Sequence, residues 1–341
     1  MTVDRAELLG GDIPLRPLGV AEMLDASIAG MRRSPRAVLG PSVLIVGTTQ
    51  FLVTLAGYYL IGRQSADEVT PNVVLQSLGS QLVLAGLNLL ATAYSILLLT
   101  GLIAPVLARS FFGLPVSFQQ AWLDLRPQLF RLITVASLIL GGSLLAGLLP
   151  ILPFVLVAGL DGSPGLGILL AVLGFPVGAA LMSWIYVVGV LAVPAVVMER
   201  LDVVAALLQS HRLVRRQWWR TAMVLVLTVI ILIFMGFFAL RLPFTVAGLI
   251  LFGTDPSGWA ELGALTIDTL GRIVSWTITV PFYAGVTALI YFDRRMRREG
   301  LDLDLQTRRE LPADFLSLWA PSPYQVGAWT RPAQQGYMTG Q

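Results

Sequence analysis

The sequence predicts an all-α integral membrane protein. Its architecture is a six-transmembrane-helix bundle made from three repeated units, each an interfacial amphipathic helix plus two spans, with N-in/C-in topology. Three observations carry this. Apolar runs longer than the roughly 20 residues that cross a bilayer core cover 39–62, 81–108, 131–160, 166–198, 221–253 and 266–292. Three amphipathic stretches align without gaps through Leu24, Ile28, Met31, Arg32, then Phe118, Trp122, Leu125, Arg126, then Leu207, His211, Val214, Arg215, at offsets of 94 and 89 residues. A proline also recurs at the matching place in the second span of each unit, in Ala104-Pro105, Val193-Pro194 and Val280-Pro281. A repeat of this size is one structural unit copied and stacked. With 56% hydrophobic and only 13% charged residues, the chain lies outside the range of soluble globular domains.

Taken in order, residues 1–18 read as a cytoplasmic N-terminal segment and 19–299 as the membrane domain, with units at about 19–110, 113–199 and 202–293. In the first unit Val20, Leu24, Ile28 and Met31 form one stripe at helical spacing. In the second, Phe118, Trp122, Leu125 and Leu129 do so, and in the third Val203, Leu207, Val214 and Trp218. A short helix with that stripe and arginines opposite lies in the interface plane. Each second span carries its proline near the basic end. Proline removes one backbone hydrogen bond, so a bend is expected there, with the freed carbonyl partnered by a neighbouring helix. Gly141, Gly142 and Gly174 are expected to allow close helix packing. Spans three and four are joined through Asp161-Gly162-Ser163-Pro164-Gly165, a turn-forming sequence. Loops 63–80 and 254–265 are too short for a domain. Residues 300–341 read as a cytoplasmic tail, partly disordered, with a short amphipathic element at Asp314–Trp319 and a disordered stretch at Ala320–Gln341.

Orientation follows from arginine placement. All 23 basic residues are Arg. With the N-terminus inside, the four inside segments hold 5, 3, 5 and 7 of them, leaving only Arg63, Arg241 and Arg272 elsewhere. The positive-inside rule then sets the topology. The net charge of +3 restates that bias and gives no reason to invoke nucleic acid. Acidic residues at Asp4, Glu7, Asp12, Glu22 and Asp25, without an early apolar core, argue against a cleavable signal, so the first span is expected to act as an uncleaved anchor.

Candidate sites are few. The absence of Cys excludes disulfides and thiolate chemistry, and a single His, His211, excludes a His-pair metal site. His211 itself reads as an interfacial packing residue. No nucleophile-elbow, phosphate-loop or zinc-protease motif is present, so no catalytic residue and no cofactor are expected. Ionisable residues at membrane depth are the default place to look for function. Arg241 follows Arg220 by 21 residues, about 30 Å of helix rise, which carries it to the outer interface. There Asp268 and Arg272, four apart, can pair across one turn. Arg241, Asp268 and Arg272 are therefore candidates for contact with a phosphate or lipid head, since the guanidinium fork suits phosphate. On the basic face, Arg32, Arg126, Arg212, Arg215, Arg216, Arg297 and Arg298 are candidates for a docking or anionic-lipid surface.

Several segments carry a resemblance. Ile13-Pro14-Leu15-Arg16-Pro17-Leu18-Gly19 leads into Met23-Leu24-Asp25 and Arg32-Arg33-Ser34-Pro35, Glu199-Arg200-Leu201 follows with Ala205-Ala206-Leu207 and Trp218-Trp219, and the last span ends in Tyr291-Phe292-Asp293-Arg294-Arg295-Met296-Arg297-Arg298-Glu299-Gly300-Leu301-Asp302. Over roughly residues 13–305 the chain resembles the actinobacterial multispanning proteins labelled as the membrane domain of glycerophosphoryl diester phosphodiesterase. That resemblance implies a multi-pass protein of the bacterial cytoplasmic membrane. It does not imply phosphodiesterase activity, because the chain has no room for the catalytic barrel. The expected role is non-enzymatic: a scaffold or accessory subunit for envelope or lipid-related machinery, with membrane lipids and another membrane or cytoplasmic protein as partners. The alternative is lipid or small-solute translocation through the bundle, drawing on polar residues such as Gln50, Asn88 and Ser95.

Overall fold

A computed structural model describes residues 14, 16–61, 71–114, 117–153, 164–254, 258–307 and 315–319. The described residues are all-helical, without a strand. In chain order the helices are α1 (Val20–Arg33), α2 (Pro35–Ile61), α3 (Pro71–Ser110), α4 (Phe118–Leu125), α5 (Leu129–Leu148), α6 (Pro164–Gly189), α7 (Ala192–Met198), α8 (Val203–Val214), α9 (Trp218–Ile233), α10 (Leu242–Phe252), α11 (Trp259–Glu299) and α12 (Leu301–Thr307). A 3₁₀ turn at Arg126–Gln128 links α4 to α5, a π-helical segment at Phe234–Arg241 links α9 to α10, and a 3₁₀ turn spans Phe315–Trp319.

Six helical stretches are long and apolar enough to cross a membrane: Pro35–Gly57, Gly86–Ser110, Gln119–Leu148, Val172–Met198, Trp218–Phe252 and Trp259–Glu299. They alternate in burial. The second, fourth and sixth have 67%, 61% and 78% of their apolar windows inside the protein, against 33%, 33% and 28% for the others. The spans that carry the recurring proline, Pro105, Pro194 and Pro281, thus form the inside of the bundle. α3, α11 and α2 pack on one another, α5 pairs with α6, and α9, the π-helical segment and α10 lie along α11. The core concentrates at the basic end, where residues 96–108, 190–198 and 280–292 are almost all buried.

Three expectations change in the folded chain. α3 begins at Pro71 and α11 at Trp259, so the second half of the expected loop 63–80 and most of 254–265 are helical. Pro71 opens α3 at a position where its missing N–H has no helical acceptor to lose, and α11, with 41 residues, is about 60 Å long. The prolines also behave differently from one another. α3 and α11 run through Pro105 and Pro281 as helix, whereas the fourth span breaks at Val190 and Leu191 before Pro194. In α11 the carbonyl of Thr277, which the missing N–H of Pro281 would have occupied, accepts instead from the Ser42 hydroxyl of the first span at 2.8 Å. Finally, the tightest glycine contact between α5 and α6 lies at other positions than those expected, although Gly174 is buried and a Cβ on Gly142 would stand 3.9 Å from Ile185. A Cβ on Gly141 would meet nothing within 4 Å, but one on Gly178 would stand 2.3 Å from the Gly147 carbonyl oxygen. Gly147 and Gly178 are the residues that let α5 and α6 approach backbone to backbone.

The short helices α1, α4 and α8 sit where the amphipathic stretches predict them, rotated from the predicted stripe. α1 buries Met23, Ala26, Ser27 and Gly30, α4 buries Ala121 and Leu125, and α8 buries Ala206, Ser210, Leu213 and Val214. Small residues face the bundle because they allow close seating. Ser27 donates to the Phe282 carbonyl at 3.0 Å and Ser210 to that of Val188. Ile28, Trp122, Val204 and Leu208 remain exposed at the rim. Residues 1–13, most of the Asp161–Gly165 turn and Ala320–Gln341 lie outside the described residues.

Candidate functional site

Two polar regions stand out, one at each end of the bundle. At the end remote from the arginine clusters, α11 presents Asp268 and Arg272 one turn apart. The π-helical segment ends on Arg241 and delivers its guanidinium to the same carboxylate. Asp268 receives Arg241 at 3.0 Å on one oxygen and Arg272 at 3.3 Å on the other. Arg272 also donates to the Thr54 hydroxyl of α2 at 2.9 Å, and Thr269 reaches Thr54 at 3.3 Å. The three sequence-predicted residues are therefore one cluster, tied to the first span by a threonine that sequence reasoning missed. Two guanidinium groups share one carboxylate, leaving an excess positive charge in a half-buried place. The Nε atoms of both arginines are buried without an acceptor.

The π-helical geometry matters here. Its wider turn changes the phase of Arg241 relative to a continuous α-helix. It is held by the Ser275 hydroxyl, which donates to the Gly236 carbonyl at 2.8 Å. A side chain on Gly236 would press on Ser275 and Thr279.

Further polar side chains lie on spans one and two. Gln50 and Ser95 are buried, and Thr49 and Ser95 hydroxyls meet at 3.2 Å. Gln50 Oε1, Asn88 Oδ1 and Thr92 Oγ1 are buried without a hydrogen-bond partner. Such atoms are costly in an apolar surrounding.

The basic end is organised around the last turns of α11. The Leu18 N–H donates to Asp293 at 3.0 Å, while Arg297 pairs with Asp293 at 2.7 Å and donates to the Leu18 carbonyl at 3.1 Å. Arg220 adds a bond to that carbonyl at 3.3 Å. Arg294 reaches the Thr221 hydroxyl at 2.9 Å. Arg295, almost fully buried, donates to Glu299 at 2.7 Å and to the Trp319 carbonyl at 2.7 Å, with Glu199 at 3.7 Å. Tyr291 donates to Glu199. Burial pushes the Glu199 carboxyl above its ordinary range, against the attraction of Arg295. Trp319 is wholly buried, its ring 4.8 Å from that of Phe292 and 6.1 Å from that of Phe111. Gly300, in the left-handed region at φ 64°, ends the helix.

Cross-links from Arg33 to the Gly113 carbonyl, Arg109 to Asp124, Arg131 to Asp202 and Arg298 to the Arg212 carbonyl gather the remaining helix ends into the same face. The predicted basic surface thus divides. Arg297 and Arg298 are engaged within the chain, although both residues keep exposed surface. Arg32, Arg126, Arg212, Arg215 and Arg216 are exposed. His211 is exposed on α8.

The internal ion network escaped sequence reading. Its available signal was the pair of i, i+4 spacings, Asp293–Arg297 and Arg295–Glu299, inside a run read only as a positive flank. Among the described residues no cluster of three or more His, Asp or Glu side chains is arranged to hold a metal ion. No protein-family model, curated protein or solved structure matches the chain.

Proposed function

We propose that the chain is a non-enzymatic multi-pass protein of the bacterial cytoplasmic membrane, serving as a scaffold or accessory subunit for envelope or lipid-related machinery. The division of its arginines carries this reading. Arg294, Arg295 and Arg297 tie the N-terminal approach, the helix ends and the Phe315–Trp319 turn into one rigid end, while Arg32, Arg126, Arg212, Arg215 and Arg216 face outward from it. A rigid surface with outward cations favours docking over turnover. The positive-inside rule places this surface in the cytoplasm. The alternation of buried and peripheral spans supports the three-unit architecture, and the resemblance to the phosphodiesterase membrane domain supports a lipid-related setting.

The test is replacement of Arg32, Arg126, Arg215 and Arg216 by Gln, followed by quantitative affinity purification from native membranes. Loss of a stoichiometric protein partner from the variant is expected. Identical recovery with full function in cells would remove the main support.

A second reading, translocation of a lipid or small solute, draws on the polar residues Gln50, Asn88 and Thr92 and on the Arg241–Asp268–Arg272 cluster. It requires flux across vesicles that Gln50→Leu diminishes.

A further inference from the structure

Where the fourth span passes the start of the fifth, a hollow of about 850 Å³ lies between them. One wall is apolar: Val177, Leu181 and Trp184 of α6 are all exposed. These residues span about two turns of helix, roughly 10 Å. The other wall is the junction of α8 and α9, with Arg215, Arg216 and Trp218 lining it.

The polar groups on that second wall are donors without acceptors. Arg215 and Arg216 are exposed, and among the described residues neither has a carboxylate within ion-pairing distance. Arg216 also stands within electrostatic reach of Arg298, which adds to the local positive charge. The Trp218 indole Nε1 is buried and has no partner. α9 begins at Trp218, and Gln217 before it makes no side-chain cap, so its first-turn amides are left uncapped by that side chain. Trp219 is 74% exposed and meets Trp218 edge to face at 4.8 Å, an arrangement suited to the headgroup level.

We propose that this groove binds one anionic glycerophospholipid. Its phosphodiester would lie on Arg215, Arg216 and the start of α9, a glycerol ester oxygen would accept from the Trp218 indole, and an acyl chain would run along Val177, Leu181 and Trp184. Charge complementarity selects this occupant. Two forked cations, an indole N–H and a helix N-terminus converge at one end of an apolar trough, and they call for several acceptor oxygens within a few ångströms. A phosphodiester with its neighbouring esters supplies them, whereas a transmembrane helix arrives with its backbone acceptors already used. The site stands without the scaffold reading, since a lipid can occupy it whether or not a protein partner exists.

The test uses the full chain in nanodiscs of equal phosphatidylglycerol and phosphatidylcholine, released for native mass spectrometry. One phosphatidylglycerol is expected to be retained over phosphatidylcholine by roughly thirtyfold, since each of the two basic side chains near an anionic headgroup contributes on the order of 1 kcal/mol and about 1.4 kcal/mol is tenfold. R215Q/R216Q should bring that ratio close to unity, and W218F, which removes the donor to an ester oxygen that both lipids carry, should lower total lipid retention a few-fold without moving the ratio, giving a second handle if the double variant unfolds. R32Q/R126Q, which removes the same charge elsewhere on the same end, should leave it unchanged. No preference in the wild type, an equal loss in R32Q/R126Q, or a dimer that depends on Arg215 and Arg216 would each overturn the proposal.

Discussion

Trp319 offers the sharpest check on how the basic end is built. Were this turn a solvated tail, replacing Trp319 by Ala would cost almost nothing. In the structure the side chain is wholly buried among Phe111, Phe112, Phe292 and Phe315, and its carbonyl accepts from Arg295. Burying about 150–250 Å² of tryptophan at about 25 cal/mol per Å² contributes roughly 4–6 kcal/mol. Core Trp→Ala substitutions cost about 3–5 kcal/mol. At about 2 °C per kcal/mol, the low end for domains of 150–250 residues, Trp319→Ala should lower the thermal midpoint by roughly 6–10 °C. Trp319→Phe is the matched control. The indole Nε1 has no partner, so Phe forfeits volume but no hydrogen bond, and about a third of the loss is expected. The assay is thermal unfolding in detergent, followed by light scattering and by far-ultraviolet circular dichroism. A midpoint unchanged by Trp319→Ala would refute the seating of this turn, and equal losses in both variants would refute its aromatic packing.

Three further outcomes follow from particular contacts. Gly178→Ala should force α5 and α6 apart by roughly an ångström and cost about 1–3 kcal/mol, whereas Gly141→Ala should be neutral or stabilising; equal effects in thermal unfolding would contradict the backbone contact between Gly147 and Gly178. The raised pKa of Glu199 means that folding favours its protonated form. This contribution is therefore whole below the unfolded value of 4.5 and is lost as pH rises through the folded value. Glu199→Gln should flatten that part of the pH dependence, and an unaltered pH profile would show that Glu199 does not carry it. Asp268→Asn should leave Arg241 and Arg272 without their shared carboxylate, at a cost of about 1–3 kcal/mol, and adding Arg241→Met should recover part of it; a double variant no better than the single would argue that the cluster is not electrostatically coupled.

The legible part of this fold was what depends on length and period. Span positions follow from apolar runs, and α1, α4 and α8 from stripes that end in arginine. The Arg241–Asp268–Arg272 cluster was readable too, because helix rise fixes depth and an i, i+4 spacing fixes a shared face. The π-helical turn that aims Arg241 was not, since its hydrogen bonds shift register without altering hydropathy, and its stabilising partner, Ser275, lies in another helix. The tightest close contact, at Gly147 and Gly178, was not readable for a related reason. Gly141-Gly142 is the more conspicuous pair in sequence, but whether a glycine meets backbone is decided by the facing helix. The network around Arg295 stayed hidden because counting arginines gives orientation, while the burial of Arg295 also depends on Glu199, nearly a hundred residues away in sequence. For the same reason the seat of Trp319 appears only once Phe111 and Phe292 are side by side.

The most direct measurement of the scaffold role is native mass spectrometry of the full chain extracted with its surrounding lipid. A scaffold or accessory subunit should carry a second polypeptide at fixed stoichiometry, and should lose it when Arg32, Arg126, Arg215 and Arg216 become Gln. The bare chain with lipid alone, unchanged by those substitutions, would contradict that role and move lipid handling to its place.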